Sequence, residues 1–73
     1  MNRTNVRPLI ERYKSDPTIA DALPETYRRL LRLHYLECNN WRRVAVIMDY
    51  SEDNIYKLRS KALDKLREVT HNV

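Results

Sequence analysis

Residues 41–67 read WRRVAVIMDYSEDNIYKLRSKALDKLR, and two helices separated by a tight break account for the whole stretch. Trp41, Val44, Ala45, Ile47 and Met48 supply the apolar residues of about two helical turns. Asp49-Tyr50 interrupts them, and Ser51 is a good cap for a second helix whose first turn carries Glu52 and Asp53, favourable at a positive helix end. At about 100° per residue, Ile55, Leu58, Ala62, Leu66 and Val69 fall on one narrow stripe with Leu63 at its edge, which predicts the buried face. The opposite face holds Asp53, Lys57, Ser60, Lys61 and Asp64, which are expected to point to solvent or to a ligand. Ala45 stands where the two helices must approach closely and only a small side chain fits, and Ile55 is expected to pack back beneath it. Asp49 occupies the turn, where a left-handed backbone is expected; Asp tolerates that conformation better than most residues other than Gly.

Upstream, Pro24 suits the first position of another helix, with Glu25 in its first turn. Tyr27, Leu30, Leu31, His34 and Tyr35 then keep helical spacing, and Arg28, Arg29 and Arg32 populate the other side. This helix should end between Leu36 and Cys38, with Asn39 and Asn40 closing it and capping the next helix. From Thr4 to Lys14 the residues Val6, Leu9, Ile10 and Tyr13 predict a short amphipathic helix, with Thr4 as its cap and Pro8 tolerated near its first turn. Ser15-Asp16-Pro17 breaks that pattern, and Thr18 to Leu23 has room only for a turn or a short helix.

The chain has 73 residues, no Gly, three Pro, 42% hydrophobic and 33% charged residues, which reads as one small folded all-α domain of four or five helices. Residues 1–22 are expected to form an N-terminal helix and connector, and residues 23–69 the principal unit. No apolar run reaches the roughly 18 residues of a membrane span, and a cytoplasmic protein is expected. The lone Cys38 offers neither a disulfide nor a zinc site and is expected to be a partly buried thiol. His34 lies on an apolar face and His71 is its only companion, so neither a metal nor a cofactor is expected. Without Gly there is no phosphate-cradling loop, and no nucleophile and base are paired in a catalytic context, so enzyme activity is not expected.

The net charge of +4 suits a polyanionic partner without requiring one. Its cations cluster as Arg28, Arg29 and Arg32, then Arg42 and Arg43, then Lys57, Arg59, Lys61, Lys65 and Arg67. A charge run is most often a solvated helix face, so position decides its meaning. A short helix, a tight break and a second helix with a polar outer face form the helix-turn-helix arrangement used to read duplex DNA.

At these residues the chain resembles region 4, the C-terminal promoter-reading domain of bacterial sigma-70 factors. The similarity runs without a gap from Leu23-Pro24 through LLRLHYLE, WRRVAVIMDYS and EDNIYKLRSKALDKLR, about 45 of the 73 residues. Ile55, Leu58, Lys61, Ala62, Leu63, Lys65, Leu66 and Arg67 look like the terminal signature of that domain. Small phage and prophage transcriptional regulators that look like an isolated region 4 are closer still, through LHYLE, Trp41, Ala45, Met48-Asp49-Tyr50-Ser51 and Tyr56 to Leu63. The first 22 residues lie outside the resemblance.

The resemblance implies that base-reading positions fall on Glu52, Asp53 and Lys57. Carboxylates accept from the cytosine amino group and Lys donates to guanine, so each residue has an edge it can read. Glu52 and Asp53 equally serve as acidic first-turn residues of the helix, and both readings stand at this point. Asn54 and Tyr56 flank the reading face and suit phosphate oxygens, with Tyr56 also suited to a sugar, a thymine methyl or the helix edge. Asn40, Arg42 and Arg43 stand at the start of the first motif helix, where orphan N–H groups and cations together suit a phosphate, and Lys61 completes the backbone contacts. Lys61 also joins Asp64, Lys65 and Arg67 in a surface that the resemblance assigns to an activator. Trp41 is expected to seal the start of the motif against the preceding helix.

Two functions are expected. One is a sequence-specific, phage-type transcriptional regulator on double-stranded promoter DNA in a bacterial host, with RNA polymerase and a second copy of the chain as further partners. The other is a protein-interaction module, a region 4 mimic that binds polymerase or another protein and not DNA. The N-terminal helix is expected either to cap the core or to form the homodimer contact.

Overall fold

A computed structural model describes residues 7–71 and is all-α: five α-helices, one π-helical turn and no strand among the described residues. They are α1 (Arg7–Ser15), α2 (Pro17–Asp21), α3 (Glu25–Leu31), the π turn (Arg32–Leu36), α4 (Trp41–Met48) and α5 (Glu52–His71). The expected roles of Thr4 and Val6 lie outside the described residues. At 1.5 Å per residue the 20-residue α5 is about 30 Å long, more than twice the length of any other helix.

The stripe on α5 is the floor of the core. Ile55, Ala62 and Leu66 are fully buried, Leu63 is buried, and Leu58 and Val69 are half-buried at its edges. α1, α2, α3 and α4 all pack on α5. They bring Ile10 and Tyr13, Ile19, Leu30 and Leu31, and Val44, Ala45 and Met48 into one cluster. Ile10 and Tyr13 are therefore core residues, with Leu9 packed beside them, and the apolar face of α1 caps this chain's own core. Burial raises the Tyr13 phenol above its ordinary range, against the opposing pull of Arg32 and Arg28.

The segment after α1 is a short helix with its own start signal. The Asp16 carboxylate accepts from the Thr18 backbone N–H at 3.1 Å and from the Thr18 hydroxyl at 2.7 Å, and Pro17 takes the first helical position. Those bonds, the hydroxyl first, hold the Asp16 carboxyl below its usual range. Pro24 sits one residue earlier than expected: its φ of −54° is helical but its ψ of 149° is extended, so it precedes α3 and its carbonyl accepts from Arg28 N–H.

The helix over Glu25–Leu36 changes character part-way. Glu37 N–H bonds the Arg32 carbonyl five residues back, which widens the last turn. Asn39 closes it by donating both its backbone N–H and its side-chain amide to the Leu33 carbonyl, at 3.1 and 2.9 Å. Cys38 is left-handed at φ 63° and exposed, a correction to the expected partly buried thiol: the turn that ends the helix carries its side chain outside the core.

Between α4 and α5, Asp49 is left-handed at φ 62°, ψ 43°. Tyr50 N–H bonds Ala45 O at 2.9 Å and Asp49 N–H bonds Val46 O at 3.2 Å, the paired closure that satisfies the last carbonyls of a helix ending in this way. A β-branched residue cannot adopt this backbone cheaply, whereas Gly can. Asp49→Val is expected to lose about 1–2 kcal/mol of stability in urea unfolding, and Asp49→Gly to be at least as stable as wild type.

Candidate nucleic-acid interface

The close packing of α4 on α5 positions the polar surface between them. Ala45 and Ile55 are both buried, as the approach of the two helices requires. Both helices begin on side-chain caps: the Asn40 side-chain oxygen accepts from Arg43 N–H at 2.8 Å, and the Ser51 hydroxyl accepts from Asn54 N–H at 3.2 Å. The cap uses the oxygen of Asn40, which leaves its amide N–H₂ as the group suited to a phosphate.

Glu52, Asp53, Asn54, Tyr56, Lys57 and Lys61 are all exposed on α5, and Arg42 and Arg43 are exposed on the first turn of α4. Asp53, Lys57 and Lys61 recur every fourth residue and so line one face of the helix. Tyr56 is half exposed. Lys57, Lys61 and Arg43 form no ion pair among the described residues, which leaves three positive charges on this surface. Glu52 is different: Arg42 Nε donates to its Oε2 at 3.3 Å across the turn.

Further along α5 the charges pair locally. Lys65 bonds Glu68 at 2.8 Å and Arg67 bonds Asp64 at 3.1 Å, each three residues apart. Through that bond Glu68 holds the Lys65 ammonium above, and Lys65 holds the Glu68 carboxyl below, their ordinary ranges. In the surface of Lys61, Asp64, Lys65 and Arg67, only Lys61 carries a charge with no ion-pair partner among the described residues.

Trp41 does seal the start of α4, through a stack that residue spacing alone does not reveal. Its ring lies face to face with His34 at 3.7 Å and 17°, and Tyr35 meets it edge-on at 6.1 Å. The Arg59 guanidinium lies 5.6 Å from the Trp41 centroid, on α5, so three elements meet at one indole. In sequence Arg59 stands among the surface cations, yet it is half-buried and its Nε has no hydrogen-bond partner among the described residues. The signal is its spacing, four residues after Ile55 and three before Ala62, beside the apolar stripe.

Among the described residues no group of His, Cys, Asp or Glu is arranged to hold a metal, and no helix is long and apolar enough to cross a membrane. Comparison of the chain with family profiles, with curated proteins and with solved structures finds no match.

His34 makes the stack sensitive to pH. A carbonyl can only accept, so the 2.7 Å contact between Nδ1 and Asn39 O fixes the proton on Nδ1. Burial, with help from Arg59, depresses the imidazole pKa, while the Asn39 bond opposes it. The unfolded chain therefore takes up a proton more readily than the fold. Stability is full above about 6.5 and declines as pH falls from there through the depressed folded value. Urea midpoints at pH about 7.5 and about 5.5 should show this loss in wild type and a smaller one in His34→Gln.

Proposed function

We propose that this chain is a sequence-specific DNA-binding transcriptional regulator of the phage type, with α4, the Asp49 turn and α5 acting as a helix-turn-helix. The observation that carries this reading is the surface formed by the first turns of α5 beside the start of α4. It offers Arg43, Lys57 and Lys61, none of them in an ion pair among the described residues, together with exposed Asp53, Asn54 and Tyr56. In this reading α5 lies in the major groove, where Asp53, Glu52 and Lys57 face base edges. Arg42, Arg43, Asn40, Asn54, Tyr56 and Lys61 hold the phosphates on either side. The resemblance of residues 23–67 to region 4 and to small phage regulators agrees with it, as does the net charge of +4.

A single motif reads few base pairs, so promoter binding is assisted by RNA polymerase or by a second copy of the chain. A dimer would have to use a surface other than the apolar face of α1, because Ile10 and Tyr13 are already buried. The second reading, a protein-interaction module without DNA binding, draws on exposed apolar residues at the end of α4: Val46 is 66% exposed and Tyr50 41%.

Fluorescence anisotropy with duplex DNA from the promoter region upstream of the gene, at low and moderate salt, separates the two. The regulator binds, and its log affinity falls with log salt at a slope of roughly −3 to −4 for about four phosphate contacts. The interaction module gives no binding even at low salt.

Within the first reading the residues divide by role. Arg43→Ala should weaken binding to all duplexes alike, and Lys57→Ala should cost about 1–3 kcal/mol mainly at the preferred sequence. Equal losses on preferred and unrelated duplexes for Lys57→Ala would remove it from base reading.

A further inference from the structure

Glu52 is, like Asp53, ill suited to a polyanion, and it is the residue placed at the very start of α5. A carboxylate accepts only, and near phosphates it is repelled. The structure supplies its counterpart: the Arg42 guanidinium, reaching across the turn to Glu52 Oε2 at 3.3 Å, with the two side chains 81% and 52% exposed. So exposed a pair contributes little to folding. Ser51 already caps α5 through the Asn54 N–H, so an N-cap bond is not what orients Glu52. What the pair does is directional. It spans the first turn of α4 and the first turn of α5 and turns the carboxylate toward Arg42 Nε.

The bond occupies Nε of Arg42. A guanidinium carries five N–H donors in a rigid fork, and the four on the terminal amino groups lie beyond that bond. Such a fork suits two oxygens of a phosphate, which a lysine ammonium would meet only as a point charge. The carboxylate so paired is in turn suited to a base edge that donates, and in the major groove the cytosine amino group is such a donor.

Resting on the DNA-reading proposal above, we propose that Arg42 is a positioning residue for base readout. It holds the Glu52 carboxylate while its terminal amino groups bond a DNA phosphate. Glu52 accepts from the amino group of one cytosine, and the preference for that base pair depends on Arg42. Phosphate contact and base preference are thus coupled through one side chain, and the acid at the reading end serves selection rather than opposing binding.

The test begins with selection by the wild-type protein from a randomised 20-base-pair duplex pool. Anisotropy is then measured on the enriched duplex, on versions with each enriched cytosine pair replaced, and on a mixed-sequence duplex. Helical circular dichroism melting checks that the variants fold, as both side chains are exposed. Wild type is expected to prefer one cytosine pair by roughly 5- to 150-fold, the range of a good base contact. Glu52→Gln should lose that preference.

Arg42→Lys keeps the charge and should bind the mixed-sequence duplex within a few-fold of wild type, yet lose the same preference. Arg42→Ala should lose it too, with the salt slope shallower by about 1. The Arg42→Ala, Glu52→Gln double variant should lose no more preference than either single one. If Arg42→Lys keeps the wild-type preference, or if the losses from Arg42→Ala and Glu52→Gln add, the positioning role is overturned while DNA reading stands. No wild-type binding to any duplex at low salt would overturn both.

Discussion

The apolar stripe of α5 is the constraint on which the other elements depend. A 20-residue helix with Ile55, Ala62 and Leu66 on one side has no stable place for that side except against other helices. Each of α1 to α4 is short, between five and nine residues, and too short to persist alone. Packing on α5 makes them stable, and α5 in turn is covered by them. Ala62 has a structural duty here comparable to that of Ala45: both are buried small residues at contacts where a larger side chain would push helices apart.

The same arrangement explains why the polar surface is fixed rather than loose. The left-handed Asp49 ends α4 with its last carbonyls satisfied, and two residues later Ser51 starts α5 on a cap. A break this short, closed by backbone bonds on one side and a side-chain bond on the other, leaves few ways for α5 to leave α4. Arg42 and Glu52 meet across it as a consequence, while Lys57 and Lys61 are exposed further along α5. Rigid elements carrying the proposed contact residues give better-defined geometry than a loop would.

Trp41 ties this end of the molecule to the rest. His34 comes from the π turn, Arg59 from α5 and Trp41 from the first residue of α4, so one indole joins three elements near the proposed interface. The widened turn over Arg32–Leu36 is closed by Asn39, and that residue's carbonyl also fixes the tautomer of His34. Polar bonds and aromatic packing are therefore joined at the boundary between α3 and α4, while the largest fully buried side chains, Ile19, Leu30, Leu31, Val44, Ile55 and Leu66, are aliphatic.

Periodicity was enough for most of the fold. The stripe on α5, the bounds of α4, the left-handed Asp49 and the caps at Asn40 and Ser51 were all legible, because each is decided by residues within one or two turns of one another. Exposure of Asp53, Lys57 and Lys61 came from the same helical phase. The short helix after Asp16 was only half legible, since a five-residue helix has no periodicity to read and depends on its cap and on burial of Ile19. The outward Cys38, the stack of His34 on Trp41, the half-buried Arg59 and the bond from Arg42 to Glu52 were decided by the tertiary structure alone. Each involves either a non-helical backbone angle or groups brought together from separate elements, and local spacing does not encode the angle at which one helix crosses another.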